Sequence, residues 1–161
     1  MNKYATHLPI LEAIYDVFKF QKVFEFGCGY YSTSFFVEHC NEIESVEMQH
    51  KMWYDEISEN IKSEKLKLYC LLGEVDAIEL LKTKGKYDLI LIDGIARANS
   101  IMESFKHTDL IVVHDTSKRA VRRYSQQISM PLGWEFKNFT KYRPHTGFYT
   151  NNKELLSLCL Q

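Results

Sequence analysis

Short runs of apolar residues alternate along the chain with longer segments in which apolar side chains recur every three or four positions. The short runs predict β-strands at residues 22–26, 43–47, 65–72, 87–93 and 108–115. The segments with helical spacing predict helices at residues 6–18, 32–40, 51–61, 76–82, 97–106 and 118–128. Strands that alternate with helices in this way are typical of a parallel sheet covered by helices on both faces.

The end of the chain departs from this alternation. Residues 133–139 and 146–152 are rich in aromatic side chains, and their connection contains Pro144 but no helical segment. This pattern predicts a terminal antiparallel hairpin. We therefore expect an α/β fold with a doubly wound, mostly parallel seven-stranded sheet that ends in a C-terminal antiparallel hairpin.

The composition favours a compact chain without membrane or export signals. A length of 161 residues with 45% hydrophobic residues predicts a single domain, residues 1–161, with one substantial core. No apolar run approaches the roughly 18 residues of a membrane span, and the first residues lack the pattern of a cleaved signal. The four cysteines form no CxxC pair, which favours buried free thiols. We expect a cytoplasmic protein with no membrane partner.

The net charge of −1 conceals an uneven distribution. Residues 1–115 carry 12 Lys and Arg against 19 Asp and Glu, whereas residues 116–161 carry 8 against 2. The basic residues are concentrated in the predicted helix 118–128, which contains Arg122 and Arg123. A solvated helix face is one interpretation, and attraction of an anionic substrate or a nucleic acid is the other.

Two glycines one residue apart follow the first predicted strand, in the stretch VFEFGCGYY of residues 23–31. Gly27 and Gly29 predict a turn whose main chain comes close to a ligand. Glu47 ends the next strand, where a carboxylate can accept hydrogen bonds from ribose hydroxyls. In a doubly wound sheet, ligands bind beyond the carboxyl ends of the strands. The pattern therefore predicts a nucleoside site.

The residues after the glycines bear on which nucleoside is bound. Dinucleotide-binding folds place a third glycine there, whereas this chain has Tyr30, Tyr31, Ser32 and Thr33. A bulky tyrosine disfavours the close approach of a pyrophosphate to the helix N-terminus. A nicotinamide dinucleotide is therefore kept only as an alternative ligand.

Taken together, these motifs resemble those of the class I S-adenosylmethionine-dependent methyltransferases, which are Rossmann-like, and in particular their small O-methyltransferase branch. The first motif of that family, an acid followed by GxG, matches residues 25–29, and its second-strand acid matches Glu47. Gly73-Glu74 resembles the third motif, and YDLILIDG (87–94) and VVHDT (112–116) resemble the ends of the fourth and fifth strands. The similarity covers about residues 23–150 and rests on the order and spacing of short motifs.

The resemblance implies S-adenosyl-L-methionine as the cofactor. It implies that Glu25 lies near the amino group of the cofactor, that Ser32 lies near its carboxylate, and that Glu47 binds its ribose. The implied cofactor-binding residues are Glu25, Gly27, Cys28, Gly29, Ser32, Glu47, Met48, Gly73, Glu74 and Asp93.

Candidate catalytic groups lie at the predicted carboxyl rim of the sheet. Asp93, His114 and Asp115 are candidate bases, although helix caps and a satisfied core histidine are the structural alternatives. In the metal-dependent branch of the family, acids after the fourth and fifth strands hold a divalent cation, and Asp93 with Asp115 occupies similar positions. Because histidine is a poor magnesium ligand, we expect no metal and keep a divalent site at Asp93 and Asp115 as the alternative.

The acceptor is less well defined by the sequence. Candidate substrate-binding residues are Arg97, Arg122, Arg123 and His145, which would suit an anionic group. The Asn-Pro-Pro-aromatic and Pro-Cys motifs of two classes of nucleic-acid methyltransferase are absent from the sequence, which disfavours nucleic acid. We expect O-methylation of a small molecule or glycan. A homo-oligomer is one way in which the site at the carboxyl edge of the sheet could be covered. The alternatives are a non-catalytic nucleoside-binding or assembly module and a nicotinamide-dinucleotide protein.

Overall fold

The computed structural model describes residues 5–71, 73–94, 97–116 and 127–158. Its helices are α1 (Leu8–Val17), α2 (Ser32–His39), α3 (Lys51–Asn60), α4 (Glu74–Lys82), α5 (Arg97–Ser104) and α6 (Lys153–Leu156). Its strands are β1 (Lys22–Phe26), β2 (Glu42–Glu47), β3 (Leu66–Cys70), β4 (Leu89–Ile92), β5 (Leu110–His114), β6 (Glu135–Phe139) and β7 (Thr146–Thr150).

The seven strands form one mixed sheet in the order β3-β2-β1-β4-β5-β7-β6. Strands β1 to β5 pair in parallel, and β7 is antiparallel to both β5 and β6. The seven-stranded α/β sheet and the terminal hairpin agree with the prediction. The structure adds that β7 lies between β5 and β6, so that β7 alone runs against the other six strands.

Both faces of the sheet are buried, which explains the continuous apolar runs of the central strands. Alternate residues of β4 illustrate the division. Leu89 and Leu91 pack with helices α1 and α2 on one face. Ile90 and Ile92 pack with α4 and α5 on the other. The period of two along each strand therefore supplies two apolar cores from one sheet.

The carboxyl ends of the parallel strands meet at one edge. The Gly27 amide donates to the carbonyl of Val46 at 2.8 Å, and the Asp93 amide donates to the carbonyl of Phe26 at 2.8 Å. The chain crosses over in opposite directions from β1 and from β4, so the gap between these strands is the topological switch point of the sheet. Ligands of doubly wound folds bind at this position.

Several helix bounds differ from the prediction: α1 begins two residues later and α5 ends two residues earlier. Helix α4 begins two residues earlier than predicted, after Gly73, whose φ is 129°. Helix α6 was not predicted; the side chain of Asn152 accepts a hydrogen bond from the Glu154 amide at 2.9 Å and caps it. Most of the predicted helix 118–128 lies outside the described residues. Within the described ranges, every helix is too short or too polar to span a bilayer.

Candidate active site

A cleft of about 750 Å³ opens at the switch point. Its walls come from the β1–α2 turn, the β2–α3 turn and the ends of β4 and β5. His7, before α1, and Pro144, in the β6–β7 connection, complete it. The cleft therefore gathers residues from nearly the whole length of the chain, and its volume is in the range of small-molecule sites.

The two glycines of the β1–α2 turn have different physical roles. Gly27 has φ of 89°, and a Cβ there would lie 2.6 Å from the carbonyl oxygen of Asp93. The close packing of β1 against the end of β4 therefore requires glycine at this position. At Gly29 a Cβ would meet only the Ser32 hydroxyl, at 3.7 Å. The main chain at Gly29, which lines the cleft, is thus open to a ligand.

Glu25 lies beneath this turn and supports it. Its Oε2 accepts hydrogen bonds from the Ser45 hydroxyl and from Thr33 Oγ1, the latter at 2.7 Å. Thr33 Oγ1 in turn accepts from the Gly29 amide at 2.9 Å. Burial raises the pKa of Glu25 to about 7, against the lowering effect of the nearby hydroxyls. Among the described residues, Glu25 Oε1 has no hydrogen-bond partner.

The raised pKa of Glu25 predicts a pH-dependent stability. Between pH 4.5 and about 7 the folded chain retains a proton that the unfolded chain has lost. The free energy of unfolding should therefore fall as the pH rises through this window, by at most about 3 kcal/mol from this group. Urea unfolding of the wild type and of Glu25→Gln at several pH values measures it. We expect a smaller decrease in the variant, and parallel pH profiles would contradict the assignment.

Glu47 ends β2 and lies beside the β1–α2 turn. Its Oε1 accepts hydrogen bonds from the main-chain amides of Gln49 at 2.7 Å and His50 at 2.9 Å. Its Oε2 contacts Cys28 Sγ at 3.8 Å. Burial and the two carboxylates of Glu25 and Glu47 raise the pKa of the Cys28 thiol well above its usual range, so this thiol stays protonated. One carboxylate oxygen is thus fixed by the turn, while the other has a weak thiol partner among the residues that the structure describes.

An aromatic surface adjoins Glu47. Trp53 Nε1 donates to the carbonyl of Cys28 at 2.8 Å, and the Trp53 ring meets Tyr30 edge to face at 5.4 Å between centroids. The Tyr30 hydroxyl donates to Glu56 Oε1 at 2.9 Å. Both rings line the cleft and are fixed in orientation by these contacts. Aromatic rings beside a carboxylate suit a nucleoside.

A second polar group lies across the cleft, at the ends of β4 and β5. His114 Nδ1 is 2.8 Å from Asp93 Oδ1. Arg97 donates from Nε to the His114 carbonyl at 3.0 Å, and its Nη2 is 3.6 Å from Asp93 Oδ1. Asp115 follows with φ of 56°, a left-handed conformation that aspartate tolerates better than most residues. All four residues line the cleft.

His7 reaches this polar group from the segment before α1. It is 2% exposed, and its ring lies edge to face with His114 at 4.9 Å between centroids. The pKa of His7 is lowered to about 4, mainly by burial and also by the nearby His114, against the raising effect of Asp93. Neither ring nitrogen has a hydrogen-bond partner among the described residues.

The structure brings most of the predicted site residues to the cleft. The predicted residues that line it are Gly27, Cys28, Gly29, Ser32, Glu47, Asp93, Arg97, His114 and Asp115. They come from four separate segments, so their convergence depends on the sheet order. Among the described residues, the side chains whose ligand atoms lie close enough together to hold a metal ion are His7, Asp93 and His114. Asp115, which the sequence paired with Asp93 as an alternative metal site, is not in this group.

Other predicted site residues lie away from the cleft surface. Glu25 lies beneath the turn, and Met48 is 3% exposed within the apolar core. Gly73 precedes α4, and the Glu74 carboxylate accepts from Asn99 at 3.2 Å and Ser100 at 3.3 Å. Helices α4 and α5 pack together on one face of the sheet. The Glu74 carboxylate therefore contacts α5.

Three predicted substrate-binding residues, His145, Arg122 and Arg123, belong to the basic part of the chain. His145 does not line the cleft, and its carbonyl accepts from the Thr116 amide at 2.8 Å. Arg122 and Arg123 lie outside the described residues.

Sequence reasoning missed His7 and Thr6. The Thr6 hydroxyl is 3.0 Å from His114 Nε2 and donates to the Pro144 carbonyl at 2.9 Å. Residues 108 and 138 positions apart meet here. The sequence shows a polar pair, Thr6 and His7, immediately before the Leu-Pro start of a helix. Local spacing cannot connect this pair to the end of β5.

The comparisons with known proteins bear on the fold. The sequence matches no family model. No curated protein matches it either. Several solved structures are similar to this chain, at low sequence identity.

N-methyltransferase NodS from Bradyrhizobium japonicum WM9 is 12% identical, with a TM-score of 0.62, over 90% of this chain and 93% of NodS. The protein SMU.1697c from Streptococcus mutans, solved in complex with SAH, is 11% identical, with a TM-score of 0.58, over 90% of this chain and 97% of its own. The 16S rRNA methylase RmtB is 13% identical, with a TM-score of 0.62, over 93% of this chain and 64% of RmtB. The chain therefore has the fold of the class I methyltransferases.

Proposed function

We propose that this protein is a single-domain S-adenosylmethionine-dependent methyltransferase that methylates oxygen on a small molecule or glycan. The observation that carries the proposal is the position of Glu47. Its carboxylate lies in the same cleft as the open main chain of Gly29, at the switch point of the sheet. This arrangement supports binding of a nucleoside whose remaining portion passes over the main chain at Gly29.

The cleft offers a suitable surface for each part of the cofactor. Glu47 Oε2, whose hydrogen-bond contact among the described residues is the Cys28 thiol, is available to accept from a ribose hydroxyl. Trp53 and Tyr30 supply the aromatic wall, and Gly29 supplies the open main chain. A bound cofactor of this kind supplies an electrophilic methyl group on a sulfonium, so the protein needs mainly to align the acceptor and receive its proton.

The far side of the cleft is suited to the acceptor. His114 and Asp93 form a polar pair that can receive a hydroxyl proton, and Asp115 lies beside them. Arg97 adds a positive charge that favours an anionic acceptor. Similar structures include rRNA methylases as well as NodS, so an RNA acceptor is the outcome that an activity screen must distinguish.

Titration calorimetry with SAH and with NAD tests the proposed cofactor. We expect SAH to bind with one site per chain and NAD to bind at least tenfold more weakly, because Tyr31 lines the cleft where a pyrophosphate would approach the helix N-terminus. Equal or tighter binding of NAD would favour the dinucleotide alternative.

Transfer of a labelled methyl group tests the activity itself. Label should enter small molecules or glycans of a cell extract and should be absent from RNA. Labelled RNA would assign the acceptor to nucleic acid. SAH binding without labelling of either fraction would favour a non-catalytic nucleoside-binding module.

A further inference from the structure

We infer that His7, Asp93 and His114 form a binding site for a first-row divalent transition-metal ion at the acceptor side of the cleft. One ligand atom from each residue lies within 4.8 Å of the others. Two imidazole nitrogens and one carboxylate oxygen are a donor set typical of such ions rather than of magnesium. The catalytic use of this ion rests on the proposed function, whereas the binding of the ion does not.

Counting protons around His114 supports this inference. The Thr6 hydroxyl donates its proton to the Pro144 carbonyl, because a carbonyl oxygen can only accept. The 3.0 Å hydrogen bond between Thr6 Oγ1 and His114 Nε2 is therefore donated by the imidazole. A neutral ring with its proton on Nε2 has a lone pair on Nδ1, which lies 2.8 Å from Asp93 Oδ1. In this tautomer the two atoms repel each other unless a cation lies between them, either a second proton or a metal ion; in the other tautomer, Nδ1 itself donates to Asp93.

His7 favours the metal ion over the second proton. Its ring is 2% exposed, and both of its nitrogens lack hydrogen-bond partners among the described residues. A buried polar group that makes no hydrogen bond destabilises the folded chain. A second proton on His114 leaves both His7 nitrogens unused, whereas a metal ion beside Asp93 accepts a lone pair from His7. The Asp93 carboxylate then compensates part of the charge of the ion.

The distance between two of the three ligand atoms is close to that in a metal site, and the third lies within 4.8 Å of both. Bonds of about 2.1 Å place adjacent ligands of an octahedral ion about 3.0 Å apart, and those of a tetrahedral ion about 3.4 Å apart. The separation of 2.8 Å between His114 Nδ1 and Asp93 Oδ1 is near the octahedral value. The hydrogen bond from His114 Nε2 to Thr6 fixes the ring from behind, as the outer partners of metal-binding histidines do. Arg97 Nη2, 3.6 Å from Asp93 Oδ1, reduces the affinity for a cation.

The ion would have open positions on the cleft side. Three protein ligands leave at least one position of a four- to six-coordinate ion for water or substrate, and all three residues line the cleft. With the ion bound, His114 and Asp93 act as its ligands instead of receiving the acceptor proton, and an acceptor hydroxyl at such a position loses its proton to solvent more readily. Its oxygen then forms the bond to the methyl carbon as the S–C bond breaks and the sulfonium becomes a thioether.

Co²⁺ is the probe that tests the site, because its visible absorption reports ligand type and number. We expect metal-free protein to bind one Co²⁺ per chain, with d–d bands of nitrogen and oxygen ligands and no thiolate charge-transfer band. Mg²⁺ should not displace it. In His7→Leu, Co²⁺ affinity should fall at least tenfold, while the Tm of the metal-free protein should not fall, because an apolar side chain replaces an unpartnered imidazole.

Two further variants complete the experiment. Asp93→Asn, at a side chain that is 27% exposed, should also lose Co²⁺ and guards against misfolding of the His7 variant. His107→Gln is the control. The His107 carbonyl accepts from the Tyr87 amide near the amino end of β4, so this histidine lies at the opposite edge of the sheet from the cleft. The variant should retain full Co²⁺ binding.

Three results would overturn the inference. They are the absence of one-per-chain Co²⁺ absorption in the wild type, a thiolate band, and unchanged Co²⁺ affinity in both the His7 and Asp93 variants. SAH titration of metal-free protein separates this inference from the proposed function. SAH binding without Co²⁺ binding rejects the metal site alone, and Co²⁺ binding without SAH binding rejects the cofactor alone.

Discussion

Replacing Glu47 with glutamine is expected to weaken SAH binding by about 10- to 100-fold, because a hydrogen bond to a charged group contributes about 1.5–3 kcal/mol. The glutamine carbonyl can still accept from the amides of Gln49 and His50, so the β2–α3 turn keeps its main support. The amide nitrogen that replaces Oε2 donates rather than accepts. Calorimetric titration with SAH measures the difference.

Glu42→Gln is the matched control for this experiment. Glu42 lies at the amino end of the same strand, pairs with Lys22 at 3.1 Å and has a side chain that is 41% exposed. Its replacement should leave SAH affinity unchanged. Equal affinities of the wild type and both variants would reject the assignment of Glu47 to the ribose.

The glycines of the β1–α2 turn should respond to alanine in opposite ways. Gly27→Ala is expected to lower the free energy of unfolding by about 3 kcal/mol or more, since backbone strain and overpacking each cost about 1–3 kcal/mol. Its Cβ would clash with the main chain of Asp93, which cannot move without disturbing β4. Gly29→Ala should change stability by less than about 1 kcal/mol and weaken SAH binding about tenfold, because the methyl group adds bulk to the turn that lines the cleft.

Urea unfolding and SAH titration of both variants distinguish the two roles. The variants serve as controls for each other, since they make the same chemical change two positions apart. A stable Gly27→Ala protein would contradict the packing role of Gly27. Wild-type SAH affinity in Gly29→Ala would show that the ligand does not pass over this turn.

The sequence was sufficient where a local pattern determines the structure. Strand β1 has its predicted bounds, because its apolar run ends at a glycine that the sheet packing requires. Gly27 and Glu47 lie at the same edge of the sheet, as the order of strands and helices predicted. Each of these features depends on residues within one or two neighbouring elements.

The sequence was insufficient where distant segments meet. His7 and His114 are brought together only when α1 packs against the sheet beside β5, and neither residue has a neighbour in sequence that signals the other. At Glu74, a local motif suggested a role, and a contact between distant segments determines where the side chain lies. The motif order suggested a ligand contact, whereas packing of α4 against α5 directs its carboxylate to Asn99 and Ser100.

Because β7 runs antiparallel to β5, with Thr146 opposite His114, it brings the β6–β7 connection to the edge of the sheet where the cleft lies. The connection at residues 140–145 returns to the cleft through Pro144, whereas the turns around Gly29 and Glu47 belong to the other half of the sheet. Exchanging this connection for one of another length would remodel the entrance for the acceptor while leaving the nucleoside half intact. On the proposed function, we expect such an exchange to change the preferred acceptor while SAH affinity stays the same.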